Sequence, residues 1–223
     1  HTKVTYYLIS LKTLLSMKNI KTLQGYRQHN METIPLFSSP LVRFGGYTIT
    51  DDVVNKIKSL PTTSNDFNKI TKDKKVLLHP DFSAVREYCE YQLNKYVKDI
   101  LNCTNEIYIT TSWFNYTKQG ESHHLHSHPN SLISGVMYFK GTPKIIFMRN
   151  EQPFCLDLNV NEYNLATAEE WILNCSPGEL LLFPSKLRHS VDEYKENDTR
   201  ISLSFNTFVK GHISEGTSKL EIK

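Results

Sequence analysis

Four of the nine histidines fall within one short stretch, as His123, His124, His126 and His128. Neutral imidazole binds first-row divalent metals, so the chemistry this cluster first suggests is metal ligation. On a strand, side chains two residues apart share a face, so His126 and His128 can hold one ion. By the same geometry His124 and His126 can do so equally well. Two strand neighbours cannot close a site. The candidate for the third ligand is His189, which ends Phe183-Pro184-Ser185-Lys186-Leu187-Arg188-His189 just before a strand pattern. Taken alone, the cluster also reads as a His-rich surface loop with adventitious metal affinity.

The segment after His189 favours a built site. Along Arg200-Ile201-Ser202-Leu203-Ser204-Phe205-Asn206, a strand puts Arg200, Ser202, Ser204 and Asn206 on one face and the apolar residues on the other. A polar, cationic face suits a pocket for a carboxylate, which the planar guanidinium fork can grip at two points. Two acidic residues compete for the metal. Asp81, in His79-Pro80-Asp81, is better explained as a helix N-cap, and Asp192 falls at a strand turn. Trp113 and Trp171 are assigned to packing.

These side chains need a scaffold, and the pattern is helices first, then strands. Asp51 and Asp52 open a helix whose apolar side is Val53, Val54, Ile57 and Leu60, stopped by Pro61. A longer helix runs from about Asp81 to Leu101, with Phe82, Val85, Cys89, Leu93, Tyr96, Val97 and Ile100 at steps of three and four. Strands are expected at Ile107–Phe114, Leu132–Phe139, Lys144–Met148, Leu180–Phe183, His189–Tyr194 and Arg200–Val209, with turns such as Gly141-Thr142-Pro143 between them. Such an order predicts helices packed on a β-sandwich or barrel.

Composition bounds the rest. With 12 Tyr and 11 Phe among 223 residues the chain is no disordered segment, and at this length it needs neither disulfides nor metal to form a core. The 26 basic and 23 acidic residues are spread along the chain, so nucleic acid is not indicated as a partner. Cys89, Cys103, Cys155 and Cys175 show no CxxC spacing, which favours a reducing compartment. No run is long enough to cross a bilayer; the nearest, Tyr6 to Leu15, is broken by Lys12 and lacks a cleavage site. A soluble cytoplasmic protein is expected. His1 reads as a fragment boundary, with Met17 and Met31 as candidate starts. Residues 1–30 are taken as an N-terminal extension, 31–212 as the domain and 213–223 as a C-terminal tail.

Residues 112–140 and 176–208 resemble the Fe(II)- and 2-oxoglutarate-dependent oxygenases. The similarity is closest to an uncharacterised group with His-x-His-Pro followed by Ser-Gly-x-x-Tyr. The residues that carry it are His126-Ser127-His128-Pro129, Ser134-Gly135 with Tyr138, Gly178 through Ser185, His189, Arg200-Ile201-Ser202 and Asn206. Ile34-Pro35-Leu36-Phe37 resembles the group's opening segment. The resemblance implies a mainly β double-stranded β-helix, or jelly roll, with flanking helices. It implies Fe(II) on His126, His128 and His189, and 2-oxoglutarate as co-substrate with its distal carboxylate on Arg200 beside Ser202. It gives Asn115 and Tyr138 as further co-substrate contacts, and O2 and an unknown substrate as reaction partners, with hydroxylation the expected outcome. One departure stands out. The widespread family pattern has Asp or Glu where this chain has His128, so no carboxylate offsets the metal's charge and metal identity is less constrained. Two other functions suit the same residues: a three-His dioxygenase that uses no 2-oxoglutarate, and a non-catalytic jelly-roll structural or assembly protein.

Overall fold

The longest strand shows how the sequence builds the sheet. In the computed structural model, which describes residues 38–151, 156 and 159–222, β11 (Thr199–Ile213) alternates strictly in its first half. Ile201, Leu203 and Phe205 are wholly buried on one face, while Arg200, Ser202 and Ser204 point to the other. β11 pairs antiparallel with β4 (Glu106–Lys118) on one side and β6 (Ile133–Lys140) on the other. The full order of this sheet is β1-β9-β6-β11-β4-β3-β2, with β12 also on β11. Here β1 is Val42–Phe44, β2 Thr62–Ser64, β3 Lys69–Thr71, β9 Leu180–Pro184 and β12 Leu220–Ile222. A second sheet runs β5-β10-β7-β8, from β5 (His123–His126), β10 (His189–Val191), β7 (Lys144–Met148) and β8 (Glu170–Asn174).

Two cores follow from the alternation. On one face of the larger sheet, Phe114, Met137, Phe139, Leu180, Leu182, Leu203 and Phe205 pack against α1 (Asp51–Ser59) and α2 (Ser83–Lys95) through Val53, Ile57, Val85, Cys89 and Leu93. On the other, Tyr138, Leu181 and Phe183 meet Ile145, Phe147 and Leu187 from the smaller sheet's side. Leu180-Leu181-Leu182-Phe183 is apolar throughout because both faces of β9 are covered. Gly135, opposite Phe205 in the β6–β11 register, leaves room for that ring; a side chain there would overlap it. The result is the expected jelly roll, with helices bracing the larger sheet.

Several expectations need correction. The single helix over 81–101 is three pieces: a 3-10 turn at Pro80–Phe82, α2, and a π turn at Tyr96–Ile100. Asp81 is not its N-cap. Pro80 takes the first helical position, which moves the cap back to His79, whose ring Nδ1 accepts the Asp81 N–H at 3.3 Å. The Asp81 carboxylate lies 3.7 Å from Lys56 instead. The strand at His189 ends at Val191, whereas β11 runs on to Ile213. Within the segment read as a tail, β12 returns to pair with Gly211–Ile213. The extension at 1–30, the opening Ile34–Phe37 and Cys155 lie outside the described residues. No helix of the described residues is long and apolar enough to cross a membrane.

Candidate metal centre

Strand pairing sets the first two histidines face to face. His126 ends β5 and His189 opens β10, and the two are direct antiparallel partners with ring centroids 4.3 Å apart. His128 is not on the strand. It comes from the loop after β5, where its backbone N–H donates to the Ser185 carbonyl at 2.9 Å. Its ring lies parallel to that of His189, within 4°, and the two Nε2 atoms are 3.3 Å apart. One nitrogen from each of His126, His128 and His189 lies within 4.8 Å of the other two. His128 therefore joins His126 through a loop and not through the shared face of one strand. Neither His79, Asp81 nor Asp192 belongs to any metal-capable group of three among the described residues.

Hydrogen bonds fix the tautomers. Nδ1 of His126 is 2.9 Å from the His124 carbonyl, and Nδ1 of His189 is 3.0 Å from the Leu187 carbonyl. A carbonyl only accepts, so the protons sit on Nδ1 and the Nε2 lone pairs are free for a metal. Burial, reinforced by the neighbouring rings, pushes the pKa of His128 down to about 4 and of His189 to about 3, and lowers that of His126. All three are neutral at neutral pH, the form in which imidazole can bind a metal. The same shifts predict how the metal-free protein responds to acid. The unfolded chain binds protons near pH 6.5 and the folded one only near 3–4, so stability is full above about 6.5 and falls as pH drops through that window. Thermal unfolding with a chelator present should show a lower Tm at pH 5 than at pH 7. A flat profile over that range would show the rings to be open to protons.

Beside the triad is a cavity of about 70 Å³ lined by His126, His128 and His189 together with Arg200, Tyr138 and Asn115. Arg200 is 4% exposed. Its Nη2 donates to Thr117 Oγ1 at 3.1 Å, and the guanidinium carbon sits 5.4 Å from the centre of the Tyr194 ring. Its Nε and Nη1 have no partner, and no carboxylate pairs with it among the described residues. A buried cation in this condition is costly, and an anion in the cavity would offset the cost. The buried Tyr138 hydroxyl is also unpartnered, and burial followed by the nearby Cys175 thiol raises its pKa far enough to keep it a donor. Ser202 faces both Asn115 and Tyr138 in register. Asn115 is largely committed within the wall: Nδ2 donates to Ser204 Oγ at 2.9 Å and Oδ1 accepts from Trp113 Nε1 at 3.2 Å.

The cavity also takes Trp113 and His123, which the sequence does not assign to it. Trp113 shares the inward face of β4 with Asn115 and Thr117, an alternation legible in the sequence, so packing is not its only role. His123 was hidden by a β-bulge: His189 pairs with His126 but Val191 pairs with His123, which sets three residues' advance on β5 against two on β10. The extra residue reverses the alternation and turns both His123 and His126 toward the cavity. Trp171, on β8, is partly exposed and lines nothing here.

Comparison with known proteins bears on the fold. Residues 111–206 match the model of the family described as "Putative 2OG-Fe(II) oxygenase". No curated protein matches the chain in sequence. Among solved structures, a 2OG-Fe(II) oxygenase family oxidoreductase from Burkholderia pseudomallei is similar, with TM-score 0.55 and 12% identity over 75% of this chain and 83% of that one. HygX from Streptomyces hygroscopicus, solved with nickel and 2-oxoglutarate bound, gives TM-score 0.56 and 12% identity over 76% and 82%. The α-ketoglutarate-dependent epimerase SnoN of nogalamycin biosynthesis gives 0.54 and 8% over 76% and 78%. At these identities the structural likeness establishes the fold.

Proposed function

We propose that this relative of the 2OG-Fe(II) oxygenases couples decarboxylation of 2-oxoglutarate to hydroxylation of a substrate still to be identified. His126, His128 and His189 hold Fe(II), and Arg200, with Ser202 and Tyr138, holds the distal carboxylate of 2-oxoglutarate. The observation that carries this reading is the buried guanidinium with two unpaired donors opening into the same cavity as the histidine triad. HygX, similar in fold, holds a metal and 2-oxoglutarate together.

With iron and 2-oxoglutarate bound, such a centre activates O2, and 2-oxoglutarate leaves as succinate and CO2. The chain's own part is positional. His126, His128 and His189 would hold the ion with three neutral nitrogens and leave it able to take further ligands. Arg200 supplies a fixed fork at the far end, and its charge, poorly solvated by protein, is largely matched only when the carboxylate arrives. Tyr138, its proton retained, donates to the same carboxylate. Asn115, tied to Trp113 and Ser204, stiffens the cavity wall that β4 and β11 of the larger sheet form. Phe183, Ile145 and Val191 give the cavity its apolar lining and limit water.

A second reading, a three-His dioxygenase that uses no 2-oxoglutarate, draws on the missing carboxylate in the triad. The unpaired Arg200 counts against it, since nothing in that reading neutralises the guanidinium. Incubation of the Fe(II)-loaded protein with 2-oxoglutarate and O2 tests the proposal. Succinate should form in a metal-dependent manner, slowly without the true substrate. Oxygen uptake indifferent to 2-oxoglutarate would favour the second reading. No metal binding at all would leave a non-catalytic jelly roll.

A further inference from the structure

The bulge that turns His123 inward also assembles a second histidine triad. One nitrogen from each of His123, His124 and His126 lies within 4.8 Å of the others, and the ring centroids are 4.5–5.0 Å apart. Bound to tetrahedral zinc such nitrogens would be roughly 3.4 Å apart, so small rotations close the set. Phe67 supports it from outside, stacking on His124 at 4.2 Å and lying 5.1 Å from His123. Nδ1 of His123 is buried and has no hydrogen-bond partner among the described residues. His124 is exposed, whereas His189 in the other triad is buried, so the two sets form an outer and an inner site joined at His126. A neutral imidazole has one free lone pair, so His126 serves one ion at a time.

We propose that His123, His124 and His126 form an outer site for a divalent first-row cation, which captures the ion near the surface and passes it inward through the shared His126. The delivery step rests on the inner triad assigned above; the outer site does not. Cobalt(II) absorption tests both. The parent chain should take up one Co(II), and two would overturn the shared ligand. With the inner site disabled as His128→Ala/His189→Ala, one Co(II) should still bind and give a d–d band, which adding His124→Ala should remove. A folded double variant without the band, or a band that survives in the triple variant, overturns the outer site. The single variant His124→Ala alters an exposed side chain in the otherwise intact protein and tests delivery even if the double variant does not fold. It should reach the parent's final Co(II) content, but roughly tenfold more slowly by stopped flow, at the low end of what a metal-supporting contact is worth. Equal loading rates overturn delivery. A loss of final content would instead move the inner ligand pair to His124 and His126 and overturn the division into two sites.

Discussion

Replacing His189 with alanine in a His124→Ala background, which removes the outer site, should strip the protein of its metal at equilibrium. His189 is 5% exposed and held from several directions: Nδ1 on the Leu187 carbonyl, Phe183 edge-on at 4.9 Å, Phe147 at 5.8 Å and His126 across the strand pair. A ligand positioned this firmly loses little freedom on binding. Removing it leaves two imidazoles, one on a strand end and one in a loop. The loss should exceed the roughly 10–100-fold that follows from disturbing a mere supporting contact. Metal content per chain after equilibration with limiting Fe(II) under anaerobic conditions is the measurement. His79→Ala, which alters an exposed cap, serves as the control and should keep its metal. Full occupancy in His124→Ala/His189→Ala would sink the inner triad.

How far such a site can be read from sequence depends on which geometry makes it. The β11 face was legible because the seven residues from Arg200 to Asn206 alternate polar and apolar, and a strand with two different environments on its faces has to alternate. The same holds for the helices that cover the apolar side, with Val53, Ile57, Val85, Cys89 and Leu93 at helical spacing. Other features carry no such periodicity. Across the π turn at Tyr96–Ile100 the apolar residues keep their steps of three and four, so the spacing cannot reveal it, although only Tyr96 and Val97 are buried and Ile100 is exposed. The bulge in β5 adds one residue with no distinctive type, and that residue decides which histidines face the cavity. His79 took the cap from Asp81 because a ring nitrogen can accept a backbone N–H as a carboxylate does. The strands β1, β2, β3 and β12, each of three residues, are too short to show alternation; only their partners in the sheet define them. Partner choice is a long-range property, as the pairing of Arg43 with Leu181 illustrates.

Arg200→Ala should keep the metal and lose 2-oxoglutarate. The side chain touches none of the three histidine ligands through a hydrogen bond; its one partner is Thr117, on the neighbouring strand. Truncating one partner of a buried charge pair costs about 2–5 kcal/mol, or roughly 30- to 5,000-fold in Kd. The Fe(II)-loaded protein titrated anaerobically with 2-oxoglutarate, followed by its metal-to-ligand absorption band, reads this directly. Arg200→Lys should recover only part of the affinity, because an ammonium cannot reproduce the fork. Unfolding separates a ligand anchor from a structural arginine. Among the described residues Nε and Nη1 have no partner, so the fold's own hydrogen bonds draw little on the guanidinium. The ligand-free Arg200→Ala chain should therefore melt no lower than the parent, while the upward shift in Tm that 2-oxoglutarate gives the parent should vanish. A variant that melts much lower yet binds 2-oxoglutarate as tightly as the parent would make Arg200 a structural residue and place the anchor elsewhere.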